Sequence, residues 1–232
     1  MSRDKLSRAV EREVKLLECS SRLLSYRRLN WRMDASHRIR RAFETFVQET
    51  RWGKYPFSLH VTQHEHPVEG MVQISATKFP TGAVTRTTTH DSELRERVTD
   101  IPVLEEGGTL VASLSVSGHV AFIVHPRRSD RIKPAEEQIF LFHRLDPTDV
   151  TDGVLERVLL RYLLYMRSTS VIGIHDTLNV REYLTLLRMK VGDVRYQYRL
   201  SRALLSMQNE WGKLLLAGLI GWLVAYVTGA GK

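Results

Sequence analysis

The stretch GTLVASLSVSGHVAFIVH, residues 108–125, determines how the central part of this chain folds. Two runs rich in apolar residues stand on either side of Ser117-Gly118, a pair that is typical of a tight turn. The pattern predicts a β-hairpin with strands at 108–117 and 119–125. Because strands of this kind need neighbours to bury their apolar faces, further strands are expected on either side of the hairpin.

Four more strands are predicted, at residues 57–64, 71–78, 83–89 and 138–143. The first alternates strictly between apolar and polar residues, as a strand with one wet face does. Phe79-Pro80-Thr81-Gly82 is a good tight-turn sequence between the second and third. The last is continuously apolar, which favours a central position over an edge. Links this short leave no room for crossover helices, so the six strands are predicted to form an antiparallel meander.

Helical periodicity flanks the predicted sheet on both sides. Residues 3–52 are interpreted as two helices separated near Asn30-Trp31, with Asp34 or Ser36 capping the second. A third helix, beginning at Thr151 or Asp152, has a wide apolar face that should lie on the sheet. The predicted class is therefore α+β.

The C-terminal segment 214–231 contains no charged residue and is bracketed by Lys213 and Lys232. Eighteen helical residues reach roughly 27 Å, close to the hydrocarbon thickness of a bilayer. We therefore expect a single transmembrane anchor that continues a long helix starting near Val180. Basic residues shortly before the anchor favour a body that faces the cytoplasm. The predicted segments are basic helices at 1–54, the sheet and helix core at 55–177, a juxtamembrane helix at 178–213 and the anchor at 214–231.

Two patterns along the C-terminal helix predict a homo-oligomer, either a dimer or a higher assembly. Apolar residues keep a heptad-like spacing before the anchor, and small residues recur every four positions within it. Small residues facing lipid would give the same second pattern. The predicted contact residues are Leu184, Leu187, Val191, Val194, Tyr198, Ala217, Gly221, Ala225 and Gly229.

Residues 1–54 hold 14 Lys and Arg against 7 Asp and Glu, and the densest basic and aromatic cluster lies among them. Such residues could bind a protein partner, anionic lipid or nucleic acid, or could form a solvated helix face paired with acidic neighbours. The candidate partner or anion-binding residues are Arg27, Arg28, Trp31, Arg32, Arg38, Arg40 and Arg41.

Residues with catalytic or metal-binding potential are sparse. His60, His64 and His66 share one parity on the first predicted strand, but they also fit its wet face, so we predict no metal site. No phosphate-binding loop, dinucleotide fingerprint or nucleophile elbow occurs, and we expect no cofactor and no enzymatic activity. The single cysteine, Cys19, fits a reducing compartment.

One short pattern supports an alternative function. Arg32 and His37 resemble the Arg-x4-6-His pattern of HEPN-type ribonucleases, in which the arginine stabilises phosphate charge and the histidine transfers protons. Met33 stands where that family has a polar residue directly after the arginine. The resemblance implies a membrane-associated ribonuclease with these two residues as its catalytic pair.

The block GTLVASLSVSGHVAFIVHPRRSD, residues 108–130, is followed by EEQIFLFHRLDP and by a helix ending in YMRSTS. Together these segments resemble a recurring part of uncharacterised bacterial proteins, some with C-terminal membrane helices, that look similar to accessory components of antiphage or CRISPR loci. The resemblance assigns no catalytic residue. With the anchor, it favours a tail-anchored accessory protein that oligomerises and binds a cytoplasmic protein, with a membrane-disrupting effector as a further alternative.

Overall fold

A computed structural model of the chain describes residues 3–64, 70–90, 96–129, 134, 136–173 and 178–193. These residues form an α+β fold in which helices accompany a six-stranded antiparallel sheet, as the sequence predicts. The chain divides into two compact units, Met1–Met189 and Lys190–Lys232. The predicted segments 1–54 and 55–177 therefore belong to one unit, and almost all of the second unit lies outside the described residues.

The N-terminal region is helical without a break. Helix α1 (Arg3–Asn30) passes through a π-helical turn (Trp31–Ala35) into helix α2 (Ser36–Trp52). The two predicted helices are present and meet near Asn30-Trp31, but a π-helical turn joins them in place of a break. Ala35, which precedes α2, has helical backbone angles, so no helix end is present for Asp34 or Ser36 to cap.

Helix α2 anchors the N-terminal region to the core. Ile39, Phe43 and Val47 recur every fourth residue and are at most 6% exposed. Spacing of this kind places the three side chains on one face, and that face packs on the first two strands. Burial of such a face is what stabilises most protein helices.

The six strands are β1 (Leu59–His64), β2 (Met71–Ala76), β3 (Phe79–His90), β4 (Glu96–Leu114), β5 (Val120–Arg128) and β6 (Ile139–Leu145). All pairs are antiparallel, and the order along the sheet is β1-β2-β4-β5-β6, with β3 pairing only with β4. The predicted simple meander is wrong, since β2 and β3 are neighbours in sequence but do not pair.

The reason is the length of β4, which serves two partners. Its first part, from Glu96 to Glu105, pairs with β3, and residues 109–113 pair with β2. Gly107 and Gly108 lie between the two parts with φ angles of 87° and 72°, a backbone region that glycine adopts readily. The strand predicted from the sequence begins only at residue 108 and therefore lacks this first part.

The predicted tight turn at 79–82 is instead an irregular part of β3. The register against β4 shifts between Pro80 and Val84, and Gly82 has a φ of 78°. The Thr81 hydroxyl donates to the carbonyl of Val103 at 2.9 Å. Turn-forming residues here produce a bulge within a strand rather than a change of direction.

The hairpin at 108–125 is confirmed, with its turn between Leu114 and Val120 and Gly118 at a φ of 78°. Strand β6, in contrast, lies at the edge of the sheet and not at its centre. Its apolar character has another cause, because Phe142 is covered by the ring of Phe122 and by arginines of α3. The Phe142 ring lies 6.3 Å from that of Phe122 and 5.3 Å from the Arg161 guanidinium.

Helix α3 (Asp152–Thr169) packs on β5, as predicted, and its buried residues are Val154, Leu155, Val158, Tyr162, Tyr165 and Met166. Helix α4 (Val180–Gly192) begins at the predicted residue. Among the residues described, none of the helices combines the length and the apolar character needed to cross a bilayer. The predicted anchor and most of the helix leading to it lie outside the described residues.

Candidate functional site

The most unusual surface of the described unit is the N-terminal part of α1. Residues 5–23 are all exposed. Four large apolar side chains, about one turn apart and about half exposed, lie on one side of this segment, and we call them the α1 stripe: Leu6, Val10, Val14 and Leu17. A long amphipathic helix gains most of its stability from packing its apolar face, so this stripe is a candidate contact surface.

The C-terminal end of α1 is held by polar contacts to the rest of the unit. Arg27 forms an ion pair with Asp146 at 2.8 Å, and Arg28 donates to the carbonyl of Val116 at 3.3 Å. Burial raises the pKa of Asp146, but hydrogen bonds from Arg27 and Thr148 outweigh this effect and hold the pKa below its ordinary value. The carboxylate is therefore charged at neutral pH and tethers the helix that carries the stripe.

Two further arginines of the predicted basic cluster also make contacts within the chain. Arg38 donates to the carbonyl of Val150 at 2.9 Å, and Arg40 pairs with Glu44 at 2.7 Å. Part of the cluster thus serves as an internally paired helix face, one of the alternatives that the sequence left open. The two remaining arginines of the cluster are exposed, and these are Arg32 and Arg41.

Trp31 does not belong to a surface cluster. Its side chain is 3% exposed and lies against Gly70, where any side chain would collide with the indole. The prediction that Trp31 contacts a partner is corrected on this ground, since a buried ring cannot stack on a ligand. The π-helical turn rotates the residue into the core.

The same turn affects the pair Arg32 and His37, both of which are exposed. In a regular α-helix, residues five apart diverge by about 140° around the axis. Here the Ser36 amide bonds to the Trp31 carbonyl, five residues earlier. A turn closed in this way brings residues five apart towards the same side of the helix.

The structure describes three of the predicted oligomer contacts. Leu184, Leu187 and Val191 of α4 are each about half exposed, whereas Leu186 and Met189 are buried. An exposed apolar row beside a buried one is compatible with an external partner, and the prediction stays open. The remaining predicted contacts lie outside the described residues, and these are Val194, Tyr198, Ala217, Gly221, Ala225 and Gly229.

Two of the three histidines that the sequence singled out lie on the surface of β1. His60 and His64 are exposed on β1, and His66 falls outside the described residues. In the part of the chain that the structure describes, no group of three His, Cys, Asp or Glu residues is placed to hold a metal ion.

A buried ion pair that was not predicted from the sequence lies where β4 changes partner. Arg127 of β5 and Glu105 of β4 are at most 1% exposed and are joined at 3.0 Å. Glu105 also accepts hydrogen bonds from the Ser170 hydroxyl at 2.9 Å and from the Val171 amide at 2.8 Å. The pair therefore connects two strands to the end of α3. No sequence signal distinguishes these two residues from the chain's many other charged ones.

The Arg127 guanidinium also lies 3.9 Å from the centroid of the Phe57 ring, which is a cation–π geometry. Phe57 in turn packs edge-on against Tyr55, with 5.4 Å between the ring centroids. Among the described residues, neither Arg127 Nη1 nor the Tyr55 hydroxyl has a hydrogen-bond partner, although both are buried. Two polar atoms are thus left with unused hydrogen-bonding capacity in one small region.

Tyr55 and Phe57 form one side of an open pocket of about 510 Å³. Helix α3 forms the opposite side through Leu160 and Leu163. The ion pair between Arg167 and Glu182, joined at 2.6 Å, also lines the pocket. Pockets that bind small molecules have this character, with apolar walls and a few polar groups.

Comparisons with protein-family models, with curated proteins and with solved structures reveal no match to this chain. Its function is therefore inferred from its own fold, surfaces and sequence.

Proposed function

We propose that this protein is a non-enzymatic adaptor that binds a cytoplasmic protein through the α1 stripe while its C-terminal segment holds it at a bacterial inner membrane. The observation that carries the proposal is that every residue from 5 to 23 is exposed, including the apolar row of an amphipathic helix. Binding a partner that removes this apolar row from water is favourable by about 25 cal/mol for each Å² buried.

The basic residues of this segment are separate from the stripe. Arg8, Arg12 and Lys15 lie on the same exposed segment. At 100° per residue these cations fall on the face opposite the stripe, so the apolar row itself is what the groove of a partner would take up. This arrangement is the helix-in-groove mode of recognition.

The membrane part of the proposal rests on the uncharged segment 214–231. We propose that this segment inserts as a single tail anchor and that its small residues, with the apolar row of α4, support self-association. Clustering of adaptors in a membrane raises the effective concentration of weak partner sites. The resemblance of residues 108–130 suggests that the protein takes part in antiphage defence.

Changing the α1 stripe should abolish partner capture. We expect the full chain with Val10→Asn, Val14→Asn and Leu17→Asn to recover at least tenfold less partner than the unchanged chain. The three substitutions remove the exposed apolar surface that the partner would bury. The measurement is affinity capture from solubilised membranes of the native host, with quantitative mass spectrometry of the proteins recovered.

The matched control carries three asparagines at exposed apolar positions of the β3–β4 ribbon, Val84, Val98 and Ile101. It should capture the partner normally. Equal losses in both variants, or recovery of the chain from the soluble fraction of the host, would contradict the proposal. Light scattering of the purified stripe variant beside the unchanged chain shows whether a second copy covers the stripe, because only then does the variant form a smaller assembly while the α4 contacts remain.

A membrane-associated ribonuclease is the second candidate, because the π-helical turn brings Arg32 and His37 towards one exposed side of the helix. If this candidate is correct, His37→Ala should reduce RNA cleavage by at least a hundredfold, since general acid–base catalysis contributes about 10²–10⁴ in rate. His60→Ala, at another exposed histidine, is the control. Cleavage that is unchanged by His37→Ala excludes the pair.

A further inference from the structure

We propose that the pocket between Tyr55 and helix α3 is a binding site for a small amphipathic carboxylate, such as a medium-chain fatty acid. This site is independent of the α1 stripe and adds a ligand to a protein for which the adaptor function implies none. Three features support it: the size of the pocket, the nature of its walls and the hydrogen-bonding groups at its edge.

The pocket has the size and the walls that an acyl chain requires. Its volume of about 510 Å³ lies within the range of roughly 300–1,000 Å³ that is usual for small-molecule sites. Leu160 and Ile172 line it and are 58% and 49% exposed. Large apolar side chains at the mouth of an apolar pocket are removed from water when a ligand fills the space between them.

The polar groups at the pocket call for a ligand that brings hydrogen-bond acceptors. Burial raises the pKa of the Tyr55 hydroxyl, with Arg127 and Arg167 opposing part of the rise, so the hydroxyl is protonated at neutral pH and can donate. Arg167 lines the same pocket and pairs with Glu182. A phenol that can donate, with a guanidinium in the same wall, favours an anionic head group.

The carboxylates near the pocket leave little capacity for a cationic ligand. Glu105, the carboxylate behind the Ser170 side of the pocket, already accepts bonds from Arg127, Ser170 and the Val171 amide. A cationic ligand would find both neighbouring carboxylates engaged with arginines. An anionic head group would instead find the buried Tyr55 hydroxyl, which has no hydrogen-bond partner among the described residues and can donate to it.

The test is photo-crosslinking of the full chain with decanoic acid that carries a diazirine on its terminal carbon. The chain is used in nanodiscs, and mass spectrometry locates the crosslinks. We expect the crosslinked residues to include Leu160 or Leu163, which line the pocket. Crosslinks confined to residues 214–231 would show that the acid only partitions with the apolar segment, and would overturn the proposal.

Two comparisons test the chemistry of recognition. Tyr55→Phe removes one hydroxyl, so the half-saturating concentration for crosslinking at α3 should rise about tenfold, as expected for loss of a hydrogen bond to a charged group. Tyr26→Phe, at an exposed tyrosine of α1, should leave it unchanged. Unlabelled decanoate should compete at least ten times better than decanol. Equal competition by decanol, or an unchanged value for Tyr55→Phe, would contradict a carboxylate site.

A variant that fills the pocket tests whether the crosslinks at α3 depend on the acid occupying that space. Leu163→Trp should abolish crosslinking at α3 while the crosslinks within the apolar segment remain. The folded state of each variant is checked by circular dichroism and cooperative thermal unfolding. If Leu163→Trp folds and still crosslinks at α3 like the unchanged chain, the acid does not occupy this pocket and the proposal is wrong.

Discussion

Replacement of Glu105 by alanine is expected to lower the free energy of unfolding by about 3–5 kcal/mol, the usual consequence of removing one partner from a buried ion pair. The change leaves the Arg127 guanidinium charged inside the core, where it is fully buried. It also removes the acceptor for the Ser170 hydroxyl and the Val171 amide. The measurement is urea unfolding of the full chain in detergent, followed by far-ultraviolet circular dichroism.

The matched control is Asp100→Ala, which breaks the ion pair between Asp100 and Arg86 at 3.1 Å. The side chains of that pair are 48% and 72% exposed. Exposed pairs contribute about 0–1 kcal/mol, so the control should remain within that range. A loss at Glu105 no larger than at Asp100 would mean that water or a rearranged neighbour compensates Arg127, and the inferred role of the pair would be wrong.

Replacement of Gly107 by alanine is the second change for which a large loss of stability is expected. The residue has a φ of 87°, and a Cβ atom there would lie 2.6 Å from the carbonyl oxygen of Pro126. The left-handed backbone costs a residue with a side chain about 1–2 kcal/mol, and overpacking against backbone typically costs a further 1–3 kcal/mol. We therefore expect a loss of about 2–5 kcal/mol in the same unfolding experiment.

Gly82→Ala separates these two contributions. Gly82 has a similar φ of 78°, but a Cβ atom there meets nothing within 4 Å. This variant should lose only the backbone part, about 1–2 kcal/mol. If Gly82→Ala and Gly107→Ala lose the same amount, the contact with Pro126 does not constrain the point at which β4 changes partner.

Local patterns were sufficient to predict the class of the fold and many of its elements. The alternation around Leu59, the hairpin at 108–125 and the apolar face of α3 each indicate an element whose side chains repeat with its own period. Such patterns depend on a few neighbouring residues, so they survive in the folded chain. The start of α4 at Val180 was predicted for the same reason.

Strand pairing could not be predicted in the same way. Phe79-Pro80-Thr81-Gly82 has good turn residues, yet its backbone remains in β3 because β4 offers a longer partner. Residues 96–106 lack a clear alternation, and their extended conformation depends on pairing with β3. Pairing between distant residues is decided by the sum of contacts along both strands, which no short window contains.

The candidate sites also separate into those that a short stretch of sequence predicts and those that only the folded chain forms. The amphipathic character of α1, the apolar row of α4 and the uncharged segment 214–231 are properties of short stretches and can be read from the amino acids. Burial of Trp31, the ion pair between Glu105 and Arg127, and the pocket beside Tyr55 join residues far apart in the chain. The sequence by itself determined which elements form and where their apolar faces lie, because periodicity is local. Only the tertiary structure decided which charges are buried together and which apolar rows stay exposed, because burial depends on the packing of all the elements at once.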